Sequence, residues 1–281
     1  MGFLLVNGRL LGLFVGPLVL PWSTPVLGWS DVGHRIICEI AFQEMEPTAR
    51  ERVKAMIRQD PEFDTFAESC SWPDRPRRRA VEHYVNLPRD AEGFAKDPCP
   101  VADKCVVSAI EKDLAVLSSP GAREQEKLEA LKYLGHWVGD VHQPRPWRQQ
   151  HRGIRRSLQL GSACGLGRLP HRERCPGGCV RCRDLLDDVT DEDRATWRAS
   201  TPTDWANESF AISVSPEVRY CVRTEAGCSY EADNERLDDG EPERTVVVDQ
   251  SYIETHRLTV RDQLVRAGVR LGGLLNRVLG D

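Results

Sequence analysis

Over most of the chain beyond residue 30, apolar residues recur at spacings of three and four, the period of a helix with one buried face. Ile36, Ile37, Ile40 and Ala41 keep that spacing behind Asp31, a residue able to cap the helix they predict. Pro47 opens a second helix through Val53, Met56 and Ile57, because a proline in the first turn gives up an N–H that has no partner there. The same period predicts helices from Val106 to Leu117, Glu124 to Val141, Asp191 to Arg198 and Asp204 to Ile212. A long helix is expected from Gln250, with Leu264, Ala267, Leu271, Leu275 and Val278 on one stripe. Strand-like alternation is scarce, and only the β-branched run Thr245 to Val248 predicts a short strand. The expected fold class is all-α.

The first 28 residues follow another pattern. Arg9 is their one charged residue, Leu10 to Leu20 is almost wholly apolar, and Val26 and Gly28 put small residues at the −3 and −1 positions before Trp29. This predicts a signal peptide over 1–28. The alternative, an uncleaved anchor, sits badly with Pro17 and with an apolar run well short of the ~20 residues a span requires. One domain, 29–281, is then expected in a secreted or periplasmic protein, with no stable membrane insertion. A chain of 281 residues with 40% apolar content can bury one sizeable core. A net charge of −5 argues against a whole surface built to clamp nucleic acid, so an anionic substrate must be gripped locally. Among the ten cysteines, Cys99 with Cys105 and Cys221 with Cys228 close short loops and could be disulfides, whereas Cys38 and Cys70 read equally well as buried free thiols.

One stretch breaks the helical text. Pro144 to Arg183 holds ten Arg, one Glu and neither Lys nor Asp, a net charge of 10 − 1 = +9, which leaves −5 − 9 = −14 for the other 241 residues. It also contains six Gly and four Cys, and no helix or strand period runs through it. A basic nucleic-acid arm, a small zinc-binding insert using Cys175, Cys179, Cys182 and His171, and sequence never selected for this fold are the competing readings.

Residues able to hold a metal flank that stretch. Trp29-Ser-Asp-Val-Gly-His34 begins at the expected mature terminus, where a free α-amino group and its own carbonyl can chelate a cation. Ser71-Trp-Pro-Asp74 offers a carboxylate on a proline-fixed turn, and Glu82-His83-Tyr-Val-Asn86 offers an imidazole. Leu134-Gly-His136-Trp-Val-Gly-Asp140-Val-His142-Gln-Pro144 puts His136 and Asp140 at i and i+4 on one helical face. Singly, each is as readily a cap, turn or packing residue. Their order and combination are more specific.

Taken together they resemble the trinuclear-zinc single-strand nucleases, the nuclease S-one / P-one family, which share an all-α fold with zinc-dependent phospholipase C. The resemblance covers Trp29 to Pro144 and roughly Leu185 to Asp281, including Asp204-Trp-Ala-Asn-Glu-Ser209 and Ala267-Gly-Val-Arg-Leu271. It implies that Asp74, His83, His136 and Asp140 hold a first Zn2+, and that the Trp29 terminus, His34 and again Asp140 hold a second. A water between the two ions would attack phosphorus, Arg77 would neutralise the phosphoryl oxygens, and Asp74 and Arg77 would be the catalytic side chains. His142 reads as a packing or supporting histidine rather than a ligand. The implied partner is single-stranded nucleic acid or a nucleotide, acted on by a monomer. Trp72 and Tyr84 are open both to a base-stacking role and to the core.

The departure from the family pattern lies in the aberrant stretch. The family's third zinc takes a His from a His-Gln-Pro-x-His motif and a His and an Asp from a later Asn-Leu-His-x-x-Trp-Asp motif. Here the second His position of the first motif is Pro146, and the later motif is absent from the chain. Allowed codons for Gly161 to Glu173, read one base later, spell Asp-Leu-His-Ala-Val-Trp-Asp-Gly-Cys-Leu-Ile-Glu, restoring the missing His and Asp at their spacing. The same shift over Gln149 to Arg155 permits Ser-Asn-Ile-Glu-Val-Phe. An Arg-rich, Lys-free composition is what a GC-rich gene yields out of frame. Residues 145–182 are therefore read as a frameshifted or misassembled segment, leaving two of three zinc sites. The expected function is an exported zinc-dependent endonuclease with impaired activity. The alternatives are a non-catalytic member that binds nucleic acid through its Arg-rich segment, and a phospholipase C-like phosphodiesterase.

Overall fold

The computed structural model describes residues 29, 31–85, 93, 94, 99, 104–144, 184–215, 222–224, 227–229 and 250–280. The expected signal peptide at 1–28, the aberrant segment 145–182, the expected strand at 245–248 and Cys221 lie outside them.

Eight α-helices carry the described chain: α1 Asp31–Glu44, α2 Pro47–Ile57, α3 Phe66–Ser69, α4 Val106–Ser118, α5 Glu124–Val141, α6 Asp191–Ala199, α7 Pro202–Val214 and α8 Gln250–Leu279. A 3-10 turn at Ala80–His83 follows α3. β1 Val222–Thr224 pairs antiparallel with β2 Gly227–Ser229, Arg223 opposite Cys228, in a ladder that no alternation in the sequence announces. The all-α class stands. Among the described residues no helix is long and apolar enough to cross a membrane.

Helix ends follow side-chain chemistry more closely than apolar period. α7 starts two residues before the expected Asp204, because Pro202 fits the first turn and Thr201 is the cap. The Thr201 hydroxyl accepts from the Asp204 N–H, and Asp204 accepts from the Thr201 N–H at 2.8 Å, a reciprocal pair that satisfies two donors. Asp31 is the first residue of α1 rather than its cap, and its carboxylate pairs with Arg75.

α1 lies along α8 and against α3 and α5, while α4 lies along α5. Ile37, Ile40, Leu131, Leu134, Leu271 and Leu275 fill the seams, each burial removing apolar surface worth about 2 kcal/mol. α5 is thus walled by α1 on one side and α4 on the other. Its residues 134–141 are all buried, the polar ones included. Polar groups so placed need partners, and those partners define the site.

Candidate metal centre

Four elements aim side chains at one point beside α5. His136 and Asp140 come from α5 itself, His34 from α1, Asp74 from the turn after α3, and His83 from the end of the 3-10 turn. Two glycines let α1 come close enough. A Cβ at Gly139 would stand 2.6 Å from His34 Nδ1, and one at Gly135 would stand 2.4 Å from Cys70 Sγ. Cys38 and Cys70, open in the sequence to disulfide or free thiol, form a disulfide. It ties α1, one turn past His34, to the end of α3, four residues before Asp74. Cys99 and Cys105 form the short-loop disulfide that their spacing suggested.

The tautomers can be deduced from the partners. His83 Nε2 lies 2.9 Å from the Arg78 carbonyl and His136 Nδ1 lies 2.8 Å from the Cys70 carbonyl. A carbonyl only accepts, so both of those nitrogens carry protons. The opposite nitrogens, His83 Nδ1 and His136 Nε2, face each other at 3.1 Å as two lone pairs when the rings are neutral. Asp140 Oδ2 stands 2.9 Å from the first and 3.1 Å from the second. Asp74 Oδ1 completes the group at 3.6 Å and 3.8 Å. Two imidazole acceptors and two carboxylate oxygens at one point repel each other unless a proton or a metal cation lies among them. Two nitrogens and two oxygens in that arrangement fit zinc, and the carbonyls behind each ring hold the ligating nitrogen in place.

Asp140 serves both sides. Its Oδ1 lies 3.8 Å from His34 Nε2, and the His34 ring stacks on His136 at 3.9 Å. Asp74, His83 and His136 form one grouping, and His34, His136 and Asp140 a second, with ligand atoms inside 4.8 Å in each. Burial by itself would raise the Asp140 carboxyl, but the charge and hydrogen bond of His136, the hydrogen bond of His83 and the charge of His34 hold it well below the usual range. Burial likewise pushes His136 down, yet Asp140, Asp74 and the Cys70 carbonyl outweigh it and raise the imidazole. His34, His83, His136 and Asp140 are buried, whereas the Asp74 side chain is 29% exposed and marks the open side.

The other two candidates lie at the edges. Trp29 is buried and its indole N–H donates to the Gly139 carbonyl at 2.8 Å, one residue before Asp140. Arg77 bridges to Asp74 through the backbone. Its neighbours in the arginine run have other engagements: Arg75 with Asp31, Arg78 with the Trp72 and Arg75 carbonyls, and Arg79 with Asp113 and Glu82. Among the described residues no hydrogen bond or ion pair engages the Arg77 side chain, and its backbone lies opposite that of Asp74.

Some expectations resolve differently. Trp72 packs with Arg78 and Lys132, 3.9 Å and 4.1 Å from its ring centroid, and meets Tyr133 edge-on. His142 donates Nδ1–H to the Val138 carbonyl and accepts from Arg270 Nη1 at 2.8 Å, with no ring-nitrogen contact to the candidate ligands among the described residues. Sequence reasoning missed Arg270, which also forks onto Glu208, and it missed Asp113, which takes hydrogen bonds from Arg79 and Trp137. The signal was present. Both are charged residues inside apolar stripes, Asp113 between Ile110 and Leu117 and Arg270 between Ala267 and Leu271.

Residues 29–146 match the family model described as S1/P1 Nuclease, ending where the aberrant segment begins. The chain is 26% identical over 267 residues to Endonuclease 2 of Arabidopsis thaliana, covering 90% of this chain and 91% of that protein. It is 30% identical over 147 residues to Endonuclease 1 of the same plant, covering 47% and 48% of the two chains. With Nuclease S1 of Aspergillus oryzae it shares 26% over 144 residues, 46% of this chain and 50% of that one. The chain is a helical hydrolase of the nuclease class. Over residues 29–146 it is similar to the S1/P1 nuclease family.

Proposed function

We propose that this protein is an exported, zinc-dependent endonuclease that hydrolyses phosphodiester bonds of single-stranded nucleic acid. The observation that carries the reading is the convergence of His83 Nδ1 and His136 Nε2 on the carboxylates of Asp74 and Asp140, each ring's other nitrogen already committed to a carbonyl. Asp74, His83, His136 and Asp140 would hold the first zinc. His34, Asp140 and the amine and carbonyl of Trp29, once the leader is cut, would hold the second. Bound there, zinc supplies a Lewis acid and lowers the pKa of water to near neutral.

The chain's own groups do the rest. Asp140 turns Oδ1 toward His34 and Oδ2 toward His83 and His136, so it would serve as a ligand on both sides. Asp74, on the open side, leaves room for a substrate oxygen. The Arg77 guanidinium offers paired N–H donors to the phosphoryl oxygens as charge develops on them. The mature chain is read as a single domain, 29–281, working as a monomer. Two disulfides in the described residues favour an oxidising compartment, in line with a leader at 1–28.

As written, the chain supplies two zinc sites and none of the side chains of the family's third. It should bind about two zinc ions and cleave single-stranded DNA poorly, losing roughly a thousandfold in rate with the missing electrophile. A gene whose frame is restored through 145–182 should bind three and cleave, and a chelator should stop it. Sequencing of the coding DNA decides the premise: bases that do not spell the shifted His-Ala-Val-Trp-Asp make the segment a genuine insert. Full cleavage by the written chain in the presence of chelator would end the zinc reading.

A further inference from the structure

His83 is held from behind by the Arg78 carbonyl, and what holds that carbonyl is the next residue. Arg79 has φ of 50°, the left-handed region that a side chain-bearing residue adopts only when its surroundings impose it. Here the surroundings are visible. Its guanidinium pairs with Glu82 and reaches Asp113 on α4, with Nη1 2.9 Å and 2.6 Å from the two carboxylate oxygens. Asp113 Oδ2 also accepts from Trp137 Nε1 at 2.7 Å. The Trp137 ring meets His83 edge-on at 4.7 Å and His136 at 5.3 Å, and Tyr133 stacks on its other side. A single carboxylate, 4% exposed, therefore grips both the residue that sets the His83 hydrogen bond and the wall that sets the tilt of the two rings.

We infer that Asp113 is a positioning residue for the first metal pocket, acting on His83 through Arg79 and on His83 and His136 through Trp137. It touches neither ligand and rests on the zinc reading above. Glu82 holds Arg79 from the same short turn and so cannot anchor that turn to anything else. Asp113 comes from α4 and anchors it to the scaffold. Without that anchor, Arg79 can relax toward ordinary backbone angles and swing the Arg78 carbonyl off His83 Nε2, freeing the ring to turn its lone pair out of the pocket. Supporting groups of this kind typically account for a 10- to 100-fold effect on metal affinity.

The test compares the full chain with D113N, R79K and E44Q, each stripped with chelator and titrated with Co2+, whose visible absorption reports ligand geometry. Competition with a chelating dye gives the dissociation constant. D113N keeps an acceptor for the Trp137 N–H but loses the charge facing Arg79. E44Q is the control, removing a buried carboxylate held by Arg194 and Arg198 at the far end of α1. The expected result is that D113N and R79K bind cobalt 10- to 100-fold more weakly, with a shifted spectrum. E44Q should melt earlier yet bind as the parent does. Parent-like affinity and spectrum in both D113N and R79K, or an equal loss in E44Q, overturns the inference. If D113N yields no folded protein, R79K, which keeps the positive charge, decides alone. A parent that takes up no cobalt overturns both this inference and the zinc reading, whereas a binding parent with unchanged variants overturns this one only.

Discussion

His136 and His142 sit six residues apart on and just past α5, equally buried, and each donates its Nδ1 proton to a carbonyl, Cys70 for the first at 2.8 Å and Val138 for the second at 2.7 Å. Their Nε2 atoms meet opposite worlds. That of His136 faces two carboxylates and another imidazole, while that of His142 accepts from the buried Arg270, which Glu208 grips bidentately. The imidazoles respond in opposite directions: His136 is raised because its carboxylates outweigh burial, and His142 is held well below the usual range by burial and by the Arg270 charge. Residue type, burial and tautomer are the same. The sign of the neighbouring charge makes one a candidate site for a cation and the other the seat of a cation already built into the fold.

Alanine at each position should break the pair apart. In His136→Ala the first metal loses a ligand on a shared point, so zinc content falls, the melting temperature no longer rises with added zinc, and cleavage drops by roughly a thousandfold. His142→Ala should keep its zinc and lose about 1–3 kcal/mol of stability, because Arg270 is left short of an acceptor. Zinc content by mass spectrometry and melting with and without metal read both. Equal metal loss in the two variants would mean the neighbouring charges do not divide their roles.

The next largest effect concerns the carbonyl behind His136. Replacing Cys38 and Cys70 by serine opens a link of 32 residues and should cost about 3–4 kcal/mol, against about 2 kcal/mol for the six-residue Cys99–Cys105 link. Only the first should also weaken zinc, since Cys70 supports His136. Denaturant titration alongside metal competition separates the two costs. On the His142 side, Arg270→Met should cost about 2–3 kcal/mol by stranding Glu208 and the ring, with zinc affinity unchanged. Reduced zinc affinity there would show that the two ends of α5 are coupled.

The same contrast explains what the sequence could show. Helices α2 and α5 and the start of α8 were legible to the residue, because Pro47 and the apolar period are local. Asp74, His83, His136, Asp140 and His34 were legible as a set only through their order along the chain, since they come from four separate elements that nothing local brings together. What His142 does depends on Arg270, 128 residues away, and no period or cap announces a contact of that kind. The Cys38–Cys70 bridge was hidden for the same reason: its partners lie on different elements, and only the packing of α1 on Gly135 juxtaposes them. The 3-10 turn that carries His83 has no apolar repeat at all and is shaped by Arg79, whose partner lies on α4.

The smallest effect is expected from the cap of α7, the helix that serves the His142 end by carrying Trp205 and Glu208. The Thr201 hydroxyl and then the Thr201 backbone N–H hold the Asp204 carboxyl below its usual value. A depressed carboxylate contributes stability that is present above its unfolded pKa, about 4, and is lost as pH falls through the folded value. Asp204 is largely open to solvent, so the contribution is small, and D204N should cost about 0.5–1 kcal/mol at neutral pH. Melting of parent and D204N in chelator throughout keeps metal loss out of the comparison. The gap between them should be full at pH 6 and close as pH drops below about 4. A gap that widens on acidification would mean that the charge of Asp204 does not support the cap. Loss of zinc by D204N at neutral pH would instead tie α7 to the His136 pocket and weaken the division between the two histidines.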